Sequence, residues 1–484
     1  MKNITLTLAF ILSLNTAVFA QNYDTGLNAY NSGDFTTALE VWKIVAERGD
    51  ADAQFGLGYM YDNGEGVLQD YEEAAKWYRK AAEQGNAYAQ YNMGVSYEQG
   101  QGVPQDSKEA FKWYLKAAEQ GDADAQNNLG YMFKLGNGVL QDYKEAVKWY
   151  LKAAKQGNPF AQFNLALMYD NGEGVPEDNK EAVRWYRLAA EQGDEDAQYN
   201  LAISYDYGEG VPQDYKEAIK WYRLAAEQGH TTAQFNLALK YDEGEGVSQD
   251  YNEAIKWYQL AAEQGYVSAQ YNLALSYDYG EGVPTNKTEA VKWYRLAAEQ
   301  GHIKAQYNLA LMYDDGEGVT LNDQEAVMWY LKAAEQGHIK AQFNLALMYD
   351  NGEGIPEDNE KAVNWYLKAA EQGFVKAQYN LAISYDNGEG VSENNEEAVR
   401  WYRKAAVQGH AKAQTNLGTM YEYGLGVSKN NIIAHMWYNI GNANGNAQGG
   451  KNRNDIADEM TTADISIAQD MAKECMNSDY THCS

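Results

Sequence analysis

Four of the six histidines, His230, His302, His338 and His410, share one phase of a 36-residue period. Imidazoles in register invite a metal reading. Packed helices sit about 8–10 Å apart, too wide for two successive imidazoles to share one zinc at its usual bond length of about 2 Å. The column therefore reads as histidines on the surface at helix starts. Asp62-Asn63-Gly64-Glu65-Gly66 and its copies look superficially like calcium loops. The EF-hand ligand spacing is not met, and turn chemistry explains the glycines. No serine is followed by lysine three residues later, as serine acylation of the Ser-x-x-Lys type needs. Carboxylate pairs are too common in this chain to rank any as catalytic. No catalytic residue, metal or cofactor is assigned. The only cysteines, Cys475 and Cys483, either close a small loop in an oxidising compartment or stand as free thiols on a frayed tail.

Recognition chemistry is better represented. Asparagine, a poor mid-helix residue, recurs at Asn236, Asn272, Asn308, Asn344 and Asn380 and in five further copies. Its amide either contacts a ligand backbone, donating and accepting at once, or bonds across to the next helix and fixes stacking. One position earlier lies an aromatic column that includes Tyr271, Tyr307, Phe343 and Tyr379. It suits repeat packing for the greater part, and such aromatics also anchor interfaces. A third column begins acidic and ends as Lys304, Lys340, Lys376 and Lys412. It reads either as a polarity signal for a ligand or as drift after unit duplication. Each lysine precedes its asparagine by four residues, which puts both on one helix face.

These columns need elements that repeat. Ala-Gln recurs from Gln54 to Gln414 at intervals of 36 without insertion, and Trp-Tyr recurs in phase from Trp77 to Trp437. Internal repetition of this period denotes a solenoid. In the first unit Asp50 caps a helix over about Ala51–Asn63, and Gly64-Glu65-Gly66 ends it. Asp70 caps a second, with Glu73 placed as in a capping box, which Gly85 stops. Such short helices are marginal alone, so stacking must supply their stability. Gln54, Leu57, Gly58 and Tyr61 make one buried stripe, and Ala74, Trp77, Tyr78, Ala81 and Ala82 the other.

Residues 161–193 show the unit best. They carry Ala161, Gln162, Asn164, Leu165, Ala166, Tyr169, Gly172, Gly174 and Val175, then Ala182, Trp185, Tyr186, Ala189, Ala190, Gln192 and Gly193. This pattern resembles the Sel-1-like repeat, a relative of the tetratricopeptide repeat with a longer loop between its helices. The resemblance implies an all-α, right-handed α/α superhelical solenoid that scaffolds protein complexes. It also implies that the first helix of each unit lines a concave groove.

The expected organisation is a signal peptide at 1–20, a capping hairpin at 21–49, eleven 36-residue repeats at 50–445, and C-terminal capping helices and tail at 446–484. Lys2, the apolar run from about Ile4 to Leu14 and small residues at Val18 and Ala20 suggest cleavage after Ala20. Asn31-Ser32-Gly33-Asp34 turns the N-terminal hairpin, and Lys451-Asn452-Arg453 opens a polar helix near the end. The net charge of −30 disfavours nucleic acid and anionic membrane, and no later run of apolar residues is long enough to span a bilayer. The expectation is a monomeric, non-enzymatic scaffold in the periplasm or outside the cell, holding a protein or peptide ligand. The alternative is an envelope hydrolase or glycan-binding protein with a site between repeats.

Overall fold

Side-chain caps and glycine stops cut this sequence into short helices at nearly every predicted place. The structure, a computed structural model, describes residues 22–481 and 483. The expected signal peptide, with its cleavage after Ala20, lies outside the described residues. Among the described residues there are twenty-six helices and no strands. They fall into two compact units divided between Ser248 and Gln249.

The first unit opens with the hairpin Tyr23–Asn31 and Phe35–Glu47. Paired helices follow, beginning with Ala51–Asn63 and Tyr71–Glu83, and the unit ends on Thr231–Glu243. The second unit runs from Tyr251–Glu263 to Asn431–Ala443, and two final helices, Ala447–Ala457 and Thr462–Asn477, both pack on Asn431–Ala443. Within each unit, consecutive helices pack on one another, first helix against second and second against the next first. No helix among the described residues is long and apolar enough to cross a membrane.

Local chemistry sets the boundaries. The Asp50 carboxylate accepts the Ala53 N–H at 2.8 Å, and that of Asp70 accepts the Glu73 N–H at 3.0 Å. Glu73 does not close a capping box, however. Its carboxylate takes the ammonium of Lys76 at 2.8 Å, one turn along. In the next repeat, Gly100 ends the first helix in the left-handed conformation at φ 73°. Gly102, at φ 70°, lies so close to the carbonyl of Tyr71 that a Cβ would collide with it. This loop glycine therefore seats the repeat on its predecessor.

The 36-residue phase is held by buried amides. Gln90 donates to the carbonyl of Ala82 at 3.0 Å, on the preceding second helix, and accepts from Gln120 at 2.7 Å, on its own. Gln126 repeats the pattern with Ala118 and Gln156. A buried amide left without partners costs about 1–3 kcal/mol, so an insertion inside a helix would be penalised at each copy. Around the amides, Leu57, Leu129 and Leu201 and the tyrosines Tyr114, Tyr150 and Tyr222 are fully buried.

The ends differ from the middle. Trp42 is buried and stacks on Tyr23 and Tyr30 at centroid distances of 5.8 and 5.5 Å. Near the C-terminus the polar helix starts at Ala447, capped by Asn446, so Lys451-Asn452-Arg453 lies inside it rather than opening it. Sequence placed that start too late because Gly449 and Gly450 look like helix breakers. Packing overrides them: a Cβ on Gly449 would strike the Tyr438 carbonyl. Cys475 and Cys483 are joined by a disulfide with Cα atoms 4.7 Å apart.

Candidate binding face of the first helices

Most of the asparagines of the second unit reach back to the preceding repeat. Asn272, Asn308 and Asn344 donate to the hydroxyls of Tyr258, Tyr294 and Tyr330 at 3.1, 3.1 and 3.0 Å. Each tyrosine belongs to the second helix of the preceding repeat. The hydroxyls of Tyr294 and Tyr330 donate in turn to Asp278 and Asp314, both at 2.9 Å. Burial and the adjacent carboxylate hold these phenols far above their ordinary pKa, so they stay neutral donors. Asn416 bonds the Tyr402 hydroxyl at 3.1 Å in the same way, and Asn236 reaches Tyr222 at 3.5 Å. In these repeats the relay ties three helices together, while Asn164 donates to Asn127 on the preceding first helix at 3.1 Å, a bond between first helices of the kind the stacking alternative describes.

The aromatic column is half-buried between two partners. Tyr271, Tyr307, Phe343 and Tyr379 lie 5.9–6.1 Å from Tyr294, Tyr330, Tyr366 and Tyr402 of their own repeats. On the other side Tyr271, Tyr307 and Tyr379 pack on His302, His338 and His410 at 4.4–4.5 Å. Phe343 packs on Phe374 at 5.1 Å.

Those histidines are caps, which corrects their reading as simple surface residues. Nδ1 of His302, His338 and His410 accepts the N–H of Ala305, Ala341 and Ala413, each at 3.2 Å. The rings are therefore neutral, with the proton on Nε2. Burial pushes their pKa down, helped at His338 by Lys340 and Lys304 and at His410 by Lys412 and Lys376. The signal was present in the sequence: this column holds Asp50, Asn86, Asp122, Asn158 and Asp194 in the earlier repeats, all ordinary cap residues.

Lys304, Lys340, Lys376 and Lys412 are exposed, and none forms an ion pair among the described residues. Lys304 and Lys340 border a cleft of about 550 Å³ together with Tyr271, Tyr307, Asn308 and His338. Five of the residues singled out from sequence thus share one cavity. Asn272, Asn344, Asn380, Phe343, Tyr379, Lys376 and Lys412 belong to the same unit but do not line it. Asn236 lies in the first unit, at a different cleft of about 310 Å³.

That second cleft holds a residue the sequence reading passed over. Lys240 is buried in a column that elsewhere carries methionine or serine, such as Met60 and Ser96. Its ammonium lies 2.6 Å from Asp206 and 2.8 Å from Glu245. A single lysine in a column of uncharged methionines and serines was the available sign. The pairing satisfies a buried charge, as such sites require.

Comparison with known proteins places these features. Eleven consecutive segments, 51–86, 87–122, 123–158, 159–194, 195–230, 231–266, 267–302, 303–338, 339–374, 375–410 and 411–446, match the model of the Sel1 repeat. A protective antigen of uropathogenic Escherichia coli strains, displaying an SLR fold, is similar at 39% identity and a TM-score of 0.78, over 91% of this chain and 96% of that one. A Sel1 repeat protein from Oxalobacter formigenes is 40% identical with a TM-score of 0.46, over 50% of this chain and 97% of its own. A negative regulator of exopolysaccharide production from Rhizobium leguminosarum bv. viciae is 40% identical over 53 residues, 11% of this chain. The match spans 20% of that relative's length.

Proposed function

The chain belongs to the Sel1 repeat family, and from that premise we propose that it is a non-enzymatic scaffold binding a protein or peptide along its first helices. The observation that carries this is the exposed lysine column of the second unit. Four cations stand one repeat apart beside a row of half-buried aromatic rings, in a chain of net charge −30. Exposed cations without internal partners contribute little to folding, whereas aromatic rings flanked by cations are what interfaces use. The ligand is an extended segment lying in the groove of the second unit. Lys304, Lys340, Lys376 and Lys412 meet its acidic groups, and Tyr271, Tyr307, Phe343 and Tyr379 meet its apolar ones. The asparagines keep the groove rigid through their tyrosine partners.

The site of action in this reading is the cell envelope or the outside of the cell, with the chain acting as a monomer. The N-terminal apolar run supports it, as does the description of the similar Escherichia coli protein as a protective antigen. The joined Cys475 and Cys483 suit an oxidising compartment.

The test is capture from envelope extract, read by mass spectrometry, comparing the natural chain with the triple variant Lys304→Glu, Lys340→Glu, Lys376→Glu. The variant should lose the specific partners while its melting temperature changes little. Capture by the natural chain should weaken with added salt, because exposed charges are screened. A triple variant that retains every partner at natural levels defeats the groove reading.

A further inference from the structure

In the first unit, a carboxylate on one first helix accepts a hydrogen bond from the cap residue of the next. Asn86 donates to Asp52 at 2.9 Å, and Asn158 donates to Asp124 at 2.8 Å. At the third such place His230 points Nε2 at Asp196, 3.4 Å away, while its Nδ1 caps the helix by accepting from Ala233. The imidazole thus does two things at once: one nitrogen caps the start of a helix and the other lies 3.4 Å from a carboxylate in the preceding repeat.

The second unit keeps the donor and changes the partner. His338 and His410 cap their helices with the same nitrogen and stack on the same aromatic column as His230 does on Tyr199. The residue that corresponds to Asp196 is Lys304 for His338 and Lys376 for His410. The next lysine, Lys340 or Lys412, two residues on from the histidine, is a second cation that lowers the ring's pKa. Among the described residues, no acceptor for Nε2 of either histidine occurs and neither lysine pair finds an anion. At His338 this arrangement opens on the 550 Å³ cleft walled by Tyr271 and Tyr307.

We propose that the second unit binds an acidic peptide whose carboxylates take, beside His338 and His410, the place that Asp196 holds beside His230. The proposal rests on the groove reading above and adds the chemistry of the ligand. At each place one carboxylate accepts the Nε2–H and is flanked by two ammoniums, Lys304 with Lys340 or Lys376 with Lys412. Such charge-assisted bonds are about twice as strong as neutral ones. Phe374 stands where the intervening histidine would be and has no side-chain cap bond, so the two places are two repeats apart. With successive first helices at least about 8–10 Å apart, that is at least roughly 16–20 Å. An extended chain rising about 3.3 Å per residue covers that minimum in about five or six residues.

The experiment is isothermal titration of the full chain with an acetylated, amidated glycine-serine peptide carrying two glutamates five positions apart. The same peptide with both glutamates changed to glutamine is the reference. The natural chain should prefer the glutamate peptide by about tenfold or more. The double variant Lys304→Asp, Lys376→Asp supplies internal carboxylates as Asp196 does, so it should lose the preference while melting no lower than the natural chain. Lys451→Asp with Lys473→Asp changes net charge equally and should leave the preference intact. If the Asp double variant melts lower, Lys304→Gln with Lys376→Gln is used in its place and should still reduce the preference. A natural chain without preference, or a double variant that keeps it, overturns the proposal. So does tighter binding of an acidic oligosaccharide such as an oligogalacturonate. If the Lys→Glu triple variant loses its captured partners but no glutamate preference is found, the groove reading stands and the carboxylate places fall.

Discussion

Replacing Tyr330 by phenylalanine tests whether the asparagine column holds repeats together. The ring stays and fills the same space, so no cavity forms and the change is purely polar. The hydroxyl that disappears accepts from Asn344 at 3.0 Å and donates to Asp314 at 2.9 Å. Both partners are left behind at a half-buried site, so each unsatisfied group costs toward the lower end of about 1–3 kcal/mol. The expected loss at neutral pH is therefore about 2–4 kcal/mol, felt by three helices: Ile303–Asp315, Asp323–Glu335 and Ile339–Asn351. The pH dependence carries more information. Burial already raises the pKa of Asp314, and the Tyr330 hydrogen bond opposes that rise. Without the hydroxyl the folded-state pKa climbs further above the unfolded value. A raised carboxyl binds protons better when folded, so its charged form subtracts stability as pH rises through the folded pKa. The penalty of Tyr330→Phe must therefore be smallest below about pH 4, near the unfolded carboxyl value, and grow toward pH 7. Long repeat arrays do not unfold as one step, so amide hydrogen exchange resolved by helix is the right assay. Unchanged protection of Ile303–Asp315 and Ile339–Asn351 at pH 7 would refute the relay as a structural element. A penalty that does not vary with pH would refute the role given to Asp314.

Three further outcomes follow from the same geometry. Trp221→Ala empties a buried indole, costs about 3–5 kcal/mol, and should lower exchange protection in Glu195–Tyr207 and Thr231–Glu243 as well as its own helix; damage confined to one helix would contradict stacked stabilisation. The pKa values of His302, His338 and His410 are lowered by burial, so their contribution is present above the unfolded value of about 6.5 and lost as pH falls through the folded values. Between pH 7.5 and 5 their helices should lose exchange protection, after correction for intrinsic rates, while Ala87–Gln99, capped by Asn86, should not; equal behaviour would show that the caps are not histidine-dependent. Gly102→Ala places a Cβ against the Tyr71 carbonyl at φ 70°, whereas Gly85→Ala meets no atom within 4 Å. The first should cost at least about 1–3 kcal/mol and more than the second, measured by exchange in Tyr71–Glu83; the reverse order would refute the seating role of the loop.

The repeat, its helix bounds and its buried stripes were legible in the sequence because they depend on short-range physics. Asp50 and Asp70 cap, Gly64 stops, and the period of Trp-Tyr and Ala-Gln leaves one stacking register. Sequence also found the columns that reach the cleft, since Lys304 and Asn308 share a helix face by spacing alone. What side chains do between repeats was decided by tertiary structure. The partner of Asn308 is Tyr294, fourteen residues earlier on another helix, and no helical wheel shows that pairing. The cap role of His338 was legible from the Asp and Asn that hold its column in earlier repeats, but nothing local reveals that its ring is wedged against Tyr307. Lys240 is buried only because Asp206 of the preceding repeat comes to meet it. Burial and pairing of polar groups depend on which helix arrives opposite, and that is set by stacking, not by the segment that carries the residue.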